Sequence, residues 1–117
     1  MTILKSIPRY LDEDVITGCC PVFHPEKWDR KFFDFSDLKF VKAFSNSMFH
    51  IPLNLGTVMT HVQTQIDRDN AQPDHQYLIL SKDLSAFQSV HYFLIEHELK
   101  NMPLEKVKGV FCARVFE

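Results

Sequence analysis

The sequence predicts an α+β fold: one strand-helix-strand-strand unit with an antiparallel sheet and one main helix, an irregular N-terminal wrap and an additional C-terminal strand. Three observations predict it. Leu55, Val58, Met59, Val62 and Ile66 recur at the spacing of one helical face. Stretches on both sides of them alternate with the period of two that a strand requires. The resulting order, strand, helix, strand, strand, strand, is that of a helix laid across a sheet.

Residues 1–36 hold Pro8, Pro21 and Pro25, with Asp12, Glu13 and Asp14 between them. Proline fixes φ and removes a donor, so this segment reads as extended and turn-rich. It also carries Tyr10, Phe23, Trp28, Phe32, Phe33 and Phe35, too much aromatic surface for a free tail, so it is expected to wrap the unit formed by residues 37–117. From Phe40 to Ile51 the chain reads as a strand with two partly apolar faces, therefore interior or bulged, and Pro52 ends it. Asn54 is placed to cap a helix over Leu55–Asp69 by accepting a bond from an early N–H. His61, Gln63, Gln65, Asp67 and Arg68 fill its polar side, and Asn70, Gln72, Pro73 and Asp74 close it. Tyr77–Leu80 reads as a short strand, Ser81–Ser89 as a loop, His91–Leu99 as an alternating strand, and Asn101-Met102-Pro103 as a turn. Val107–Phe116 is the last expected strand.

Composition narrows the function classes. A chain of 117 residues with a net charge of −2 has no general attraction for nucleic acid or anionic membranes. Eleven Phe, three Tyr and one Trp argue against disorder. No apolar run approaches the roughly 18 residues that span a bilayer. The first fourteen residues lack a secretory signal pattern, so a cytoplasmic location is expected. Three cysteines are an odd set, which fits reduced thiols better than a disulfide framework. There is no Walker loop, Rossmann glycine pattern or serine nucleophile elbow.

Several side chains can carry chemistry. Trp28, Phe44, Phe49, Tyr77, Phe87, Tyr92 and Phe93 can line a flat apolar pocket or simply fill a core, and Trp28 and Phe87, in loop-like segments, are the better pocket candidates. His50, beside the start of the helix, can meet a polar or anionic group or hold the strand-to-helix corner. Cys19, Cys20 and His24 lie close together, with His50, His91 or His97 as further ligands. The familiar Cys-x2-Cys spacing is absent, however, so no metal site and no cofactor are expected. Cys20 beside a histidine would be a nucleophile, but nothing fixes an oxyanion hole. His91 and His97 fall on the apolar face of one strand, where a hydrogen-bonded core or interface histidine is the commoner role.

Four segments carry a family resemblance: Gly18-Cys19-Cys20-Pro21-Val22-Phe23-His24-Pro25-Glu26-Lys27-Trp28-Asp29, Phe40-Val41-Lys42, Phe49-His50-Ile51-Pro52-Leu53-Asn54-Leu55-Gly56 and Val115-Phe116-Glu117. Together they resemble the GyrI-like small-molecule-binding domains, in particular a longer prokaryotic subgroup labelled hydrolase. That resemblance implies a tandem pair of strand-helix-strand-strand units with a ligand groove between their helices. The present chain covers the first unit and the opening strand of the second, ending at Glu117. His24 stands where relatives often have Asp, and Ser85-Ala86-Phe87 where they carry Ser-Pro-Trp.

The resemblance implies a small-molecule-binding protein, and enzymatic activity rests on it alone: hydrolysis of bulky aromatic or electrophilic ligands, often cationic. Glu117 would be the catalytic acid, with Glu96 and Glu98 the other acids on offer, and Trp28, His50, Phe87 and Tyr92 the ligand-binding set. The rival readings are a non-catalytic module that pairs with itself as a homodimer, or an inactive truncated remnant. The expected partner is a small-molecule ligand, with no nucleic acid and no membrane.

Overall fold

The chain has the expected α+β fold. The structure, a computed structural model, describes residues 2–15 and 22–115. The described residues form two compact units, one within 1–38, 74–77 and 106–117, the other of residues 39–73 and 78–105.

In the first unit three short strands form a sheet in the order β1-β2-β7. Strand β1 (Ile3–Leu4) runs parallel to β2 (Phe32–Asp34), and β7 (Val110–Cys112) runs antiparallel to β2 on its other side. Phe33 lies opposite Phe111, and the rings continue as a row. Trp28 meets Phe33 at 5.4 Å, Phe33 meets Phe35 at 5.7 Å, and Phe35 meets Phe111 at 5.4 Å between centroids. These are the spacings at which aromatic pairs attract beyond their area burial. Ile7, Phe33 and Phe35 are buried. Two 3₁₀ turns, Asp12–Asp14 and Pro25–Lys27, punctuate the N-terminal segment, the second opened by Pro25 at a position whose N–H needs no partner.

The second unit is a four-stranded antiparallel sheet, β4-β3-β6-β5, crossed by one helix. Its strands are β3 (Lys39–Met48), β4 (Ile51–Pro52), β5 (Ile79–Ser85) and β6 (Gln88–Ile95). The helix, α1, spans Leu55–Arg68, within one residue of its expected bounds. Val62 and Ile66 of α1 pack with Val41, Phe93, Ile95, Ala71 and Leu99 into the core of this unit. Asn70, at φ +53, ends the helix in the left-handed conformation. Asn70 N–H bonds Asp67 O at 3.1 Å and Ala71 N–H bonds Ile66 O at 2.9 Å, the two reversed bonds of a Schellman motif. Ile66 and Ala71, the residues that such a motif brings together, both lie in the core.

Five expectations are corrected. The strand beginning near Phe40 stops at Met48, because Phe49 and His50 turn the chain back into β4 before Pro52 is reached. Asn54 does occupy the N-cap, but its side chain makes no cap bond; Oδ1 accepts instead from Asn46 N–H at 2.7 Å and ties the helix start to β3. Ser81–Ser89 is not a loop: β5 continues to Ser85, and Ala86 and Phe87 turn it into β6. β6 then ends at Ile95 rather than Leu99. β7 is only three residues long and pairs with β2, which periodicity within a strand cannot reveal.

Candidate functional site

The helix-facing side of the second sheet is apolar at one end and polar at the other. Register places Val41, Phe93 and Ile79 in one row, Ala43, His91 and Ser81 in the next, and Ser45, Ser89 and Asp83 in the third. Residues directly opposite share a face, so the polar rows are held side by side by the sheet itself.

His91 is buried, with Ser45 Oγ 2.7 Å from its Nε2 and Ser81 Oγ 2.7 Å from its Nδ1. A neutral imidazole offers one donor and one acceptor, and each serine hydroxyl supplies the complement. Burial pushes the imidazole below its ordinary pKa, and the neighbouring Asp83 carboxylate only partly opposes this. The hydrogen-bonded core histidine expected for this strand is what the structure contains.

Asp83 sits in the next row. Its Oδ1 accepts from Ser89 Oγ at 2.7 Å, and its Oδ2 lies 3.1 Å from His50 Nδ1. The Ser89 bond, then the His50 bond, hold this carboxyl below its ordinary range. His50 arrives from another hairpin. Met48 pairs with Ile51, so Phe49 and His50 are the two turn residues, both at positive φ (+49 and +68). That is the twist a two-residue hairpin demands, here borne by residues other than the usual Asn and Gly. His50 N–H bonds Ala86 O at 2.9 Å, and Ser47 N–H bonds Phe87 O at 2.8 Å, so the tips of the two hairpins are joined through their backbones. Phe49 and Phe87, 71% and 57% exposed, meet at 5.6 Å between centroids and leave an open aromatic surface beside His50. His50 Nε2 has no hydrogen-bond partner among the described residues.

Of the expected ligand-binding set, His50 and Phe87 are brought together here. Tyr92 is on the same sheet but on the opposite face from His91, half-buried between Lys42 and Leu80 in the register. Trp28 belongs to the first unit. There it lines a cleft of about 200 Å³ with Pro8, Arg9, Tyr10, Phe23, Lys27 and Tyr77 among its walls. Glu117, Cys19 and Cys20 lie outside the described residues. Glu96 and Glu98 are exposed beyond the end of β6. His97 bridges Asn70 O at 3.1 Å and Glu98 O at 3.2 Å, holding the strand end to the helix end. No group of three or more metal-ligating side chains converges among the described residues. No helix among them is long and apolar enough to cross a membrane.

Asp83, Ser89, Ser45 and Ser81 are the residues that sequence reasoning passed over. The signal was present: Ser81-x-Asp83 and Ser89-x-His91 put polar residues at i and i+2 on two facing strands.

Neither a curated protein nor a solved structure matches the chain. A family model described as "Bacterial hydrolase" matches residues 10–117, nearly its whole length, and the chain therefore belongs to the bacterial hydrolase family.

Proposed function

We propose that this chain is a small-molecule hydrolase in which His50 is the general base, Asp83 orients it, and Phe49 and Phe87 receive an aromatic part of the substrate. The observation that carries the proposal is the 3.1 Å approach of Asp83 Oδ2 to His50 Nδ1, with the second carboxylate oxygen held by Ser89. A carboxylate on Nδ1 fixes the proton there and leaves Nε2 as the basic nitrogen, which is the role division of hydrolytic triads. Nε2 would take a proton from water as the water oxygen attacks an ester carbonyl. The tetrahedral intermediate then expels its alkoxide or phenoxide, which recovers that proton from the imidazolium. The bulky aromatic ligands that GyrI-like resemblance implies suit the exposed Phe49–Phe87 surface. Glu117 remains the carboxylate that the same resemblance would assign to water activation.

The test is hydrolysis of a panel of nitrophenyl and naphthyl esters by the wild-type chain and by His50→Gln. A loss of about 10²-fold in kcat/KM is expected for the variant, the usual scale of general-base catalysis. Equal rates in the two proteins, or no turnover across the panel by the wild type, would reject the reading.

A second reading, the non-catalytic homodimer, is favoured by one observation. β5 is an edge of the four-stranded sheet, and its residues Ser81–Ser85 are exposed. An unpaired edge is a template for a second copy. Native mass spectrometry separates the readings: a stable dimer with no esterase activity supports this one, and a monomer excludes it.

A further inference from the structure

We infer that the cleft of the first unit is a binding site for a compact aromatic anion, such as an aryl carboxylate of one or two rings. None of its residues belongs to the His50–Asp83 pair, so the inference stands apart from the hydrolase reading.

The walls supply the two halves of such a ligand separately. Tyr10, Phe23, Trp28 and Tyr77 contribute the aromatic surface, and Phe23 and Tyr77 are 57% and 49% exposed, unusually open for rings of that size. Trp28 also packs on buried Phe33, which restrains the indole. Among the described residues, the basic side chains of the lining are Arg9, Lys27 and His24, and no Asp or Glu is among them. The acids paired with the basic lining residues, among the described residues, are already engaged. Asp74 Oδ2 accepts from Arg9 Nη2 at 2.7 Å, and Glu26 Oε1 is 3.4 Å from His24 Nδ1. Lys27 has no ion-pair partner among the described residues and is half-buried, while Arg9 keeps guanidinium donors beyond the one that holds Asp74. A ring between the aromatic walls, with its carboxylate toward Lys27 and Arg9, satisfies the charge that the protein leaves unpaired. A cationic ligand would meet like charge, with no carboxylate among the described lining residues to receive it. At about 200 Å³ the cleft is smaller than a drug-sized site, which limits the ligand to a compact ring system.

The tyrosine walls are also positioned. Tyr10 N–H bonds His75 O at 2.8 Å, and the Tyr10 and His75 rings meet at 5.2 Å. Gln76 Nε2 donates to Ser6 Oγ at 3.1 Å and to Ile7 O at 3.0 Å. These bonds lock the segment bearing Arg9 and Tyr10 against the segment bearing Tyr77, so the cleft is formed before a ligand arrives.

The experiment uses three probes with one ring and three charges: naphthoate, naphthamide and naphthylmethylamine. Binding is followed by calorimetry and by emission of Trp28, the single tryptophan of the chain. Naphthoate should bind saturably, perturb Trp28 emission, and be held about tenfold more tightly than the other two, the scale of one charge-assisted hydrogen bond. Lys27→Gln should erase that preference and leave the naphthamide affinity unchanged, an internal check that the cleft is still folded. His50→Gln should leave all three affinities unchanged whether or not the hydrolase reading holds. The inference is overturned if naphthylmethylamine binds as tightly as naphthoate, if Lys27→Gln leaves naphthoate affinity intact, if binding leaves Trp28 emission unaltered, or if no probe binds.

Discussion

His50 and Asp83, 33 residues apart in the chain, meet at 3.1 Å because two hairpins present their tips to one another. Neither residue alone is distinctive. The turn at Phe49 and His50 sets the imidazole outside the end of β3, and the β5–β6 register sets Asp83 opposite Ser89. The backbone bonds from His50 to Ala86 and from Ser47 to Phe87 hold the two tips in place. The imidazole is thus positioned by main chain and oriented by a carboxylate, which is what a general base requires.

Ser89 should matter to activity only through Asp83. Its hydroxyl occupies Oδ1 and leaves Oδ2 directed at His50. Ser89→Ala frees the carboxylate to rotate, and a fall of a few-fold in ester hydrolysis is expected. Asp83→Asn removes the charge that stabilises the imidazolium and should lower the rate by about tenfold or more. The order Ser89→Ala, Asp83→Asn, His50→Gln in increasing loss of kcat, with KM nearly constant, is the signature to measure. Equal losses in all three would instead mean that the hairpin tips had come apart.

His91 predicts an acid-side loss of stability. Its folded pKa is pushed below the ordinary 6.5 by burial between Ser45 and Ser81, with Asp83 opposing. As pH falls below about 6.5, the unfolded imidazole takes up a proton that the folded one resists, and stability declines until the folded group is also protonated. Urea midpoints between pH 7 and pH 5 should therefore fall in the wild type. They should change less in His91→Asn, which keeps a hydrogen-bonding side chain and removes the titration. A pH dependence in His91→Asn identical to that of the wild type would contradict the burial argument.

His75 works in the opposite direction. Its Nε2 lies 2.5 Å from Asp12 Oδ1 and its Nδ1 2.5 Å from Asp74 Oδ1. The Asp12 bond first, then the Asp74 bond, raise its pKa above 6.5. A raised folded pKa gives stability that is complete below the unfolded pKa and is lost as pH climbs through the folded value. The clamp is exposed, so solvent screens it and the effect is modest. Melting temperature should decline as pH rises above 6.5, and Asp12→Asn should reduce that decline. Raising ionic strength should do the same.

The helix was legible because its signals are local. One apolar face, a residue suited to the left-handed position and a closing polar run all lie within Leu55–Asp74, and Asn70 performs the stop that the sequence assigns to that run. The β5–β6 hairpin was not legible for an equally physical reason. Its turn, Ala86-Phe87, has none of the Asn or Gly that marks a tight turn. Ser81 and Asp83 face the polar end of the sheet, so β5 lacks the apolar alternation by which strands are recognised. Reading that stretch as a loop hid Asp83, and with it the partner of His50. The candidate ligand residues fared according to their neighbours. Trp28 and Phe87 both stand on turns, but in different units, and the unit of Trp28 contains a long-range pairing of β7 with β2 that no local pattern encodes.

The positive φ at His50 separates stability from activity. A left-handed conformation costs a residue with a Cβ about 1 kcal/mol relative to glycine, and His50 sits at φ +68 in a turn that favours glycine. Its pairing with Asp83 returns little, because both side chains are exposed and solvent screens them. His50→Gly should therefore leave the protein as stable as the wild type or more stable by up to about 1 kcal/mol, while abolishing the general base. Urea denaturation and ester hydrolysis on the same preparation check both halves. A gain in stability with loss of turnover would mean that the imidazole is retained in a strained turn for its chemistry. A marked loss of stability would mean that the His50–Asp83 contact is what holds the hairpin tips together, and the strained turn would then need no catalytic reason.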